Sequence, residues 1–558
     1  MARWGLGPVF AADCLTIARR WQVYAGRALL VTGLLVGLTL VWLNRIAGHG
    51  LTTHQQLAAV GSAFLNAIMA VELVLALIVV PAATAGAICQ DKLRGGLTLM
   101  MATDLSDAEI VLGRFASRLV TVLGVVACGL PVVAIAASLG GVAPEDALGG
   151  TLVIVGVAVL GVGVALTYSV WATKPHEALM ATYATWAVWL LAALVWVELV
   201  GRPSGPNLLV ATNPFWLIFG SLIPPLGSIL AGRAFFFAGC IAVSAVLAAV
   251  STWRIRPVVL HQSGQVRRRA TRSGWPRRAG ASGISLDADP VLWREWHRRR
   301  SSGWGRAIWR LYAVLSTFFT LVAIFVNHGI APGVGAFMVS IGLLMISVTS
   351  ATALAEERAQ GSLDVLMATP LSTREIVLGK WRGAYRVVPR LAILPGLLAL
   401  GAALGERQFL MAAPFAALIA ALIMAYGAVI TSLGLALAAW QPRPGRAVAL
   451  GVSAYLTLAV IYPAIVLMTL RRIGPDDVFF LWLSPFFGIF IPMGWVTWRA
   501  PSLTWWQLVA ISAWTLLASA IARGLLWVTL SSFDRLVGRV PESPGFAPRS
   551  RPRIRQTG

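Results

Sequence analysis

Apolar residues in this chain come in long unbroken runs, with polar residues gathered between them. Twelve of the runs reach the roughly 20 residues that a helix needs to cross a bilayer. In the first half they lie near 25–44, 57–88, 119–139, 150–171, 178–200 and 234–253. In the second half they lie near 307–326, 332–355, 387–405, 412–440, 447–470 and 503–530. A backbone inside hydrocarbon must satisfy its own hydrogen bonds, so runs of this length predict helices. The expected fold class is an all-α membrane protein with twelve transmembrane helices.

Composition sharpens that reading. Hydrophobic residues make up 58% of the 558 positions and charged residues only 12%, against about 25% in soluble proteins. This excludes a disordered chain, a disulfide scaffold and an ordinary soluble enzyme. The net charge is +23, and Lys92, Lys174 and Lys380 are the only lysines. The segments 90–118, 171–178, 254–306, 356–390, 440–446 and 535–555, between alternate runs, carry most of the Arg and Lys. That is the positive-inside pattern with attraction to anionic lipid, so membrane lipids are expected partners. Both termini are expected in the cytoplasm, in a multi-pass protein of the inner membrane. No nucleic-acid-binding motif accompanies the charge, so no nucleic acid is expected as a partner. Arg19, Arg20 and Arg27 come early and no small-x-small site follows the first run cleanly, so no cleavable signal is expected. The four cysteines form no CxxC, and His176-Glu177-Ala178-Leu179-Met180 lacks the second histidine of a zinc helix. No metal site is expected.

The strongest signal is an internal repeat. Residues 90–114 (QDKLRGGLTLMMATDLSDAEIVLGR) align without a gap on residues 356–380 (EERAQGSLDVLMATPLSTREIVLGK), with 12 of 25 positions identical. The two segments fall on the same side of the membrane, which predicts two parallel six-helix repeats. Each copy has the same local design. Gly95 and Gly361 can end the preceding helix in a left-handed conformation. Ser106 with Glu109, and Ser372 with Glu375, are capping boxes that start the next helix, with Leu105–Ile110 and Leu371–Ile376 in the staple positions. Between stop and cap, Leu97, Met100 and Met101 in one copy and Leu363, Leu366 and Met367 in the other have helical spacing. That predicts a short amphipathic helix on the cytoplasmic side. Two readings suit it: a re-entry device lying on lipid or neighbouring helices, and a docking element for a cytoplasmic partner.

These motifs resemble the type-2 ABC transporter permeases. An acidic pair closes span two, followed by Gly-[Ser/Thr]-Leu-x-x-Leu and then Pro-Leu-Ser before Glu-Ile-x-x-Gly-[Lys/Arg]. The second copy fits through Glu356, Glu357, Gly361, Leu363, Leu366, Pro370, Ser372, Glu375 and Lys380. The first departs at Gln90-Asp91, Gly96 and Asp104. Asp289–Glu295 resembles the interfacial helix ahead of the first span. The resemblance implies a permease subunit of an ATP-binding-cassette exporter, with the path between two six-span bundles. ATPase subunits would grip the cytoplasmic helices. The partner-docking residues it implies are Gly95, Leu97, Ser106 and Glu109 in the first copy. In the second they are Glu356, Glu357, Gly361, Leu363, Leu366, Ser372 and Glu375.

The chain has no GxxxxGK[ST] loop to cradle ATP phosphates. It is therefore not expected to be an enzyme or to hold a cofactor, with ATP and Mg expected in the partner ATPase. Two alternatives share the composition: a major-facilitator-type secondary transporter and a non-transporting membrane assembly factor. Glu72 lies inside span two, where an ionisable residue is costly, and is a candidate pathway residue. The expected units are a permease half at 1–253, a basic linker at 254–288, a second half at 289–535 and a basic disordered tail at 536–558.

Overall fold

Each apolar run lies on helix in the computed structural model of the chain, which describes residues 7–46, 54–138, 140–200, 211–219, 229–271, 290–297, 303–359, 361–403, 409–441, 444–469, 478–497 and 505–537. No strand occurs among the described residues. The first half opens with α1 (Gly7–Ala18), α2 (Trp21–Ile46) and α3 (His54–Thr84). It continues with α4 (Gly86–Arg94), α5 (Gly96–Met101), α6 (Asp107–Ser138), α7 (Pro144–Trp171) and α8 (Pro175–Val200). The short α9 (Pro214–Phe219) and the long α10 (Ile229–Thr271) complete it. The second half begins with α11 (Pro290–His297), α12 (Gly303–Phe325), α13 (Ala331–Ala359) and α14 (Ser362–Met367). Next come α15 (Thr373–Tyr385), α16 (Val388–Ala403), α17 (Phe409–Trp440), α18 (Pro444–Leu456) and α19 (Tyr462–Thr469). The chain ends in α20 (Val478–Leu481), α21 (Phe487–Thr497) and α22 (Trp505–Val537).

The two halves pack alike. In the first, α7 is the central helix, with α3 and α10 against it; in the second, α17 has α13 and α22 against it. Small residues make the close approach possible, as is usual between helices in lipid. A Cβ on Gly163 of α7 would stand 3.1 Å from Ser244 Oγ on α10, and one on Gly161 would stand 3.1 Å from Val80 of α3. The halves join where α8 packs on α12 and α13, and where α2 packs on α19.

Nine helices among the described residues are long and apolar enough to cross a membrane, or ten if the bent pair formed by α1 and α2 is one span. The expected twelve, as two sets of six, is therefore met only in part. The run at 25–44 lies in that bent pair, and the run at 178–200 forms α8, which is not among the nine. The run at 447–470 is interrupted by a π-helical turn at Thr457–Ile461, just ahead of Pro463. A proline has no amide hydrogen and crowds the preceding turn, and a π turn is one way to absorb it.

The expected basic linker begins within a helix. Residues 254–271 continue α10, which runs for 43 residues, and the remainder of the expected linker lies outside the described residues. Arginine-rich sequence has good helix propensity, and an apolar helix already nucleated upstream extends readily into it. Most of the expected tail, 538–558, also lies outside the described residues.

Candidate functional site

The repeated loops have the local structure their sequences predict. Gly95 (φ +72°) ends α4 and Gly361 (φ +69°) ends the turn after α13, both left-handed with open space where a Cβ would lie. The short helices α5 and α14 follow directly. Ser106 Oγ accepts from the Glu109 amide at 3.2 Å, and the Ser106 amide donates to Glu109 Oε2 at 2.9 Å. The second box repeats this at 3.3 Å and 2.8 Å between Ser372 and Glu375. Both boxes satisfy amides that a helix start leaves without partners.

The two loops lie at one end of the bundle. Lys92 donates to Ala172 O at 3.2 Å in the turn between α7 and α8. Arg358 donates to Ala439 O at 2.9 Å near the turn between α17 and α18. In each half the last long helix reaches the first residue of the capped helix. Arg256 lies 3.2 Å from Asp107, and Thr373 donates to Asp534 at 2.5 Å.

The apolar stripe points inward. Leu97 and Leu363 are 0% exposed, and Leu366 is buried as well. Leu97 packs with Ile88, Ile110, Val111 and Leu166. Leu363 packs with Leu354, Val377, Leu435 and Phe533. Leu366 meets Val291 of α11 and Ile376 of α15. The spacing that marked these positions is the spacing of a core face, so they hold the loop down and are not its contact surface. The exposed apolar side chains are one position off the stripe: Leu99 at 72% and Val365 at 71%, which occupy matching places in the two copies. Helical spacing alone did not single out either.

Nor do the acids stand free. Glu356 pairs with Lys174 at 2.6 Å, and its other oxygen lies 3.0 Å from His176 Nδ1. Glu357 pairs with Lys380, and Arg294 lies 3.9 Å away. Lys380 is 1% exposed and also donates to Glu295 of α11 at 2.6 Å. The first half has a matching cluster. Arg114, at the Lys380 position, pairs with Asp91 and lies 3.9 Å from Asp13 of α1, while donating to Ala87 O at 2.6 Å. Asp91 therefore keeps the charge of the second acid, and α1 takes the place that α11 holds in the other half. The sequence signal was available: a basic residue closes both aligned segments.

Glu72 is buried in α3 against α6, where a Cβ on Gly129 would overlap its carboxylate. No other ionised side chain pairs with it among the described residues, and no group of three or more metal-ligating side chains occurs among them. The cysteines Cys14, Cys89, Cys128 and Cys240 are all free thiols.

Residues 265–535 match the family described as ABC-2 family transporter protein. No curated protein matches the chain. The match contains the second loop, its capping box and the Lys380 cluster. Over this half the chain is similar to the ABC-2 family of transporter proteins, and its long apolar helices fit a membrane permease.

Proposed function

We propose that the chain is the permease of an ATP-driven exporter, carrying both halves of the translocation path in one polypeptide. Separate ATPase subunits, which hold the ATP and Mg, grip the loops at 90–109 and 356–375 from the cytoplasm. The chain sits in the inner membrane with both termini inside, and its basic segments lie against anionic lipid. The observation that carries this reading is the pair of matched loops. Each is stopped by a left-handed glycine and restarted by a capping box, and each offers an exposed apolar side chain at the same position after its glycine, Leu99 or Val365. A loop that only reconnects two helices has no need of that rigidity. A loop that passes on a push does. The match of residues 265–535 to ABC-2 family transporter proteins favours this over a secondary transporter or an assembly factor.

The test is co-purification of a co-expressed ATPase, encoded beside this chain, with variants that reach the membrane at native levels. Val365→Arg should cost most of the bound ATPase and Leu99→Arg less, because only the second copy retains both acids and Pro370. Full retention by the Leu99→Arg/Val365→Arg double variant would sink the docking role and leave the loops as re-entry devices.

A further inference from the structure

The adjacent acids at the end of α13 are used in different directions. Glu357 is gripped within its own half by Lys380 and Arg294. Glu356 reaches the other half. Lys174 Nζ donates to its Oε2 at 2.6 Å, and His176 Nδ1 stands 3.0 Å from its Oε1. Both partners belong to the turn from which α8 starts, and α8 is the helix that packs on α12 and α13. The contact thus sits at the loop end of the seam between halves.

The matching place in the first copy is chemically different. Gln90 occupies it, and its amide approaches the second half's turn, where a Cβ on Gly445 would stand 3.3 Å from Nε2. So the two turns approach the two helix ends reciprocally, but among the described residues only the Glu356 side is joined by charge. Lys174 is partly exposed, and a pair of that kind is weak enough to break and re-form. Its neighbour Glu357 is bound to a buried lysine on the helix that follows the loop, so any movement of that loop acts on the turn of α13 carrying Glu356.

We propose that Glu356, held by Lys174 and His176, is a latch that keeps the cytoplasmic end of the seam between the two halves closed. Glu356 is a positioning residue: it touches no cargo, and acts by holding α8 against α13. The proposal rests on the permease reading above, but its test needs no ATPase.

Thr352, one helical turn deeper than Glu356 on α13 and buried, serves as the reporter. Thr352→Cys is placed in a chain whose four natural cysteines are replaced, and inside-out membrane vesicles are treated with a membrane-impermeant maleimide. Labelling should be slow with the latch intact. It should quicken about twofold to fivefold in Glu356→Gln or Lys174→Met, the range expected for losing a partly exposed pair. The exchanged pair Lys174→Glu/Glu356→Lys should restore slow labelling, which a merely misfolded chain would not do. Gln90→Leu should leave the rate unchanged. Unchanged labelling in both single variants, at native membrane levels, would overturn the latch even where the loops bind an ATPase. An equal rise in Gln90→Leu would overturn it too, since the effect would not belong to Glu356. Faster labelling in a chain that binds no ATPase would instead support the latch and remove the docking reading.

Discussion

Glu72 is 4% exposed, and its Oε1 finds no hydrogen-bond partner among the described residues. It fits because α6 presents Gly129 opposite it. A methyl group there must displace the carboxylate, and overpacking of this kind costs about 1–3 kcal/mol. Gly129→Ala should therefore lower the thermal midpoint of the purified chain, followed by tryptophan fluorescence. Adding Glu72→Ala removes the clash, so the double variant should be no less stable than Glu72→Ala alone. Additive losses would mean that the glycine matters for something other than this side chain. At the same scale the two caps are equal in geometry, whatever their loops do. Ser106→Ala and Ser372→Ala should each cost about 1 kcal/mol locally. Hydrogen exchange at amides 107–110 and 373–376 would show about a fivefold rise in opening. A rise at one cap alone would contradict the shared geometry. These residues were legible in the sequence because caps and left-handed glycines are local devices. The setting of Glu72 against Gly129 was not, since it depends on how two helices 57 positions apart are turned toward each other.

Among the elements, the short helices α1 and α11 decide how the loops are held. Each lays one acid against the basic residue that follows its half's loop: Asp13 near Arg114, and Glu295 on Lys380. α11 adds Val291 under Leu366. Lys380 is the residue on which this cluster depends, because its removal takes from buried Glu295 and half-buried Glu357 the cation they share. Breaking a buried pair from one side costs about 3–5 kcal/mol. Lys380→Met should accordingly reduce the amount of folded chain in the membrane, judged by size-exclusion profile in detergent. Lys380→Met/Glu295→Leu should regain part of it. No recovery would place the loss elsewhere than in the stranded acids. Sequence periodicity located α5 and α14 but misjudged their outward side, and the reason is physical. An apolar stripe reports which face is buried, and what it is buried against is set in part by α10 and α22, far along the chain. Arginine density likewise marked a basic linker from residue 254 without showing that α10 continues through its first part as helix.

For the whole molecule, the side of the membrane on which each turn lies follows from charge, and the fold adds which turns must share a side. Lys92 ties the first loop to the turn at Ala172, and Arg358 ties the second to Ala439, so positions near 95, 172, 361 and 441 lie at one end. At the other end Arg233, buried, reaches Asp146 at 3.0 Å and Leu217 O at 2.9 Å. Arginine dominates the first end, which the positive-inside rule assigns to the cytoplasm. Reporter fusions ending after Ala172 and after Gln441 should therefore both be cytoplasmic, and a fusion ending after Gly141 should be external. This arrangement does not depend on whether the chain crosses nine, ten or twelve times in total, because it concerns only the helices α7 and α17 and the ends they connect. A reporter after Gly141 on the same side as one after Gln441 would break the assignment of both loops to the cytoplasm, and with it the access of any ATPase to Leu99 and Val365.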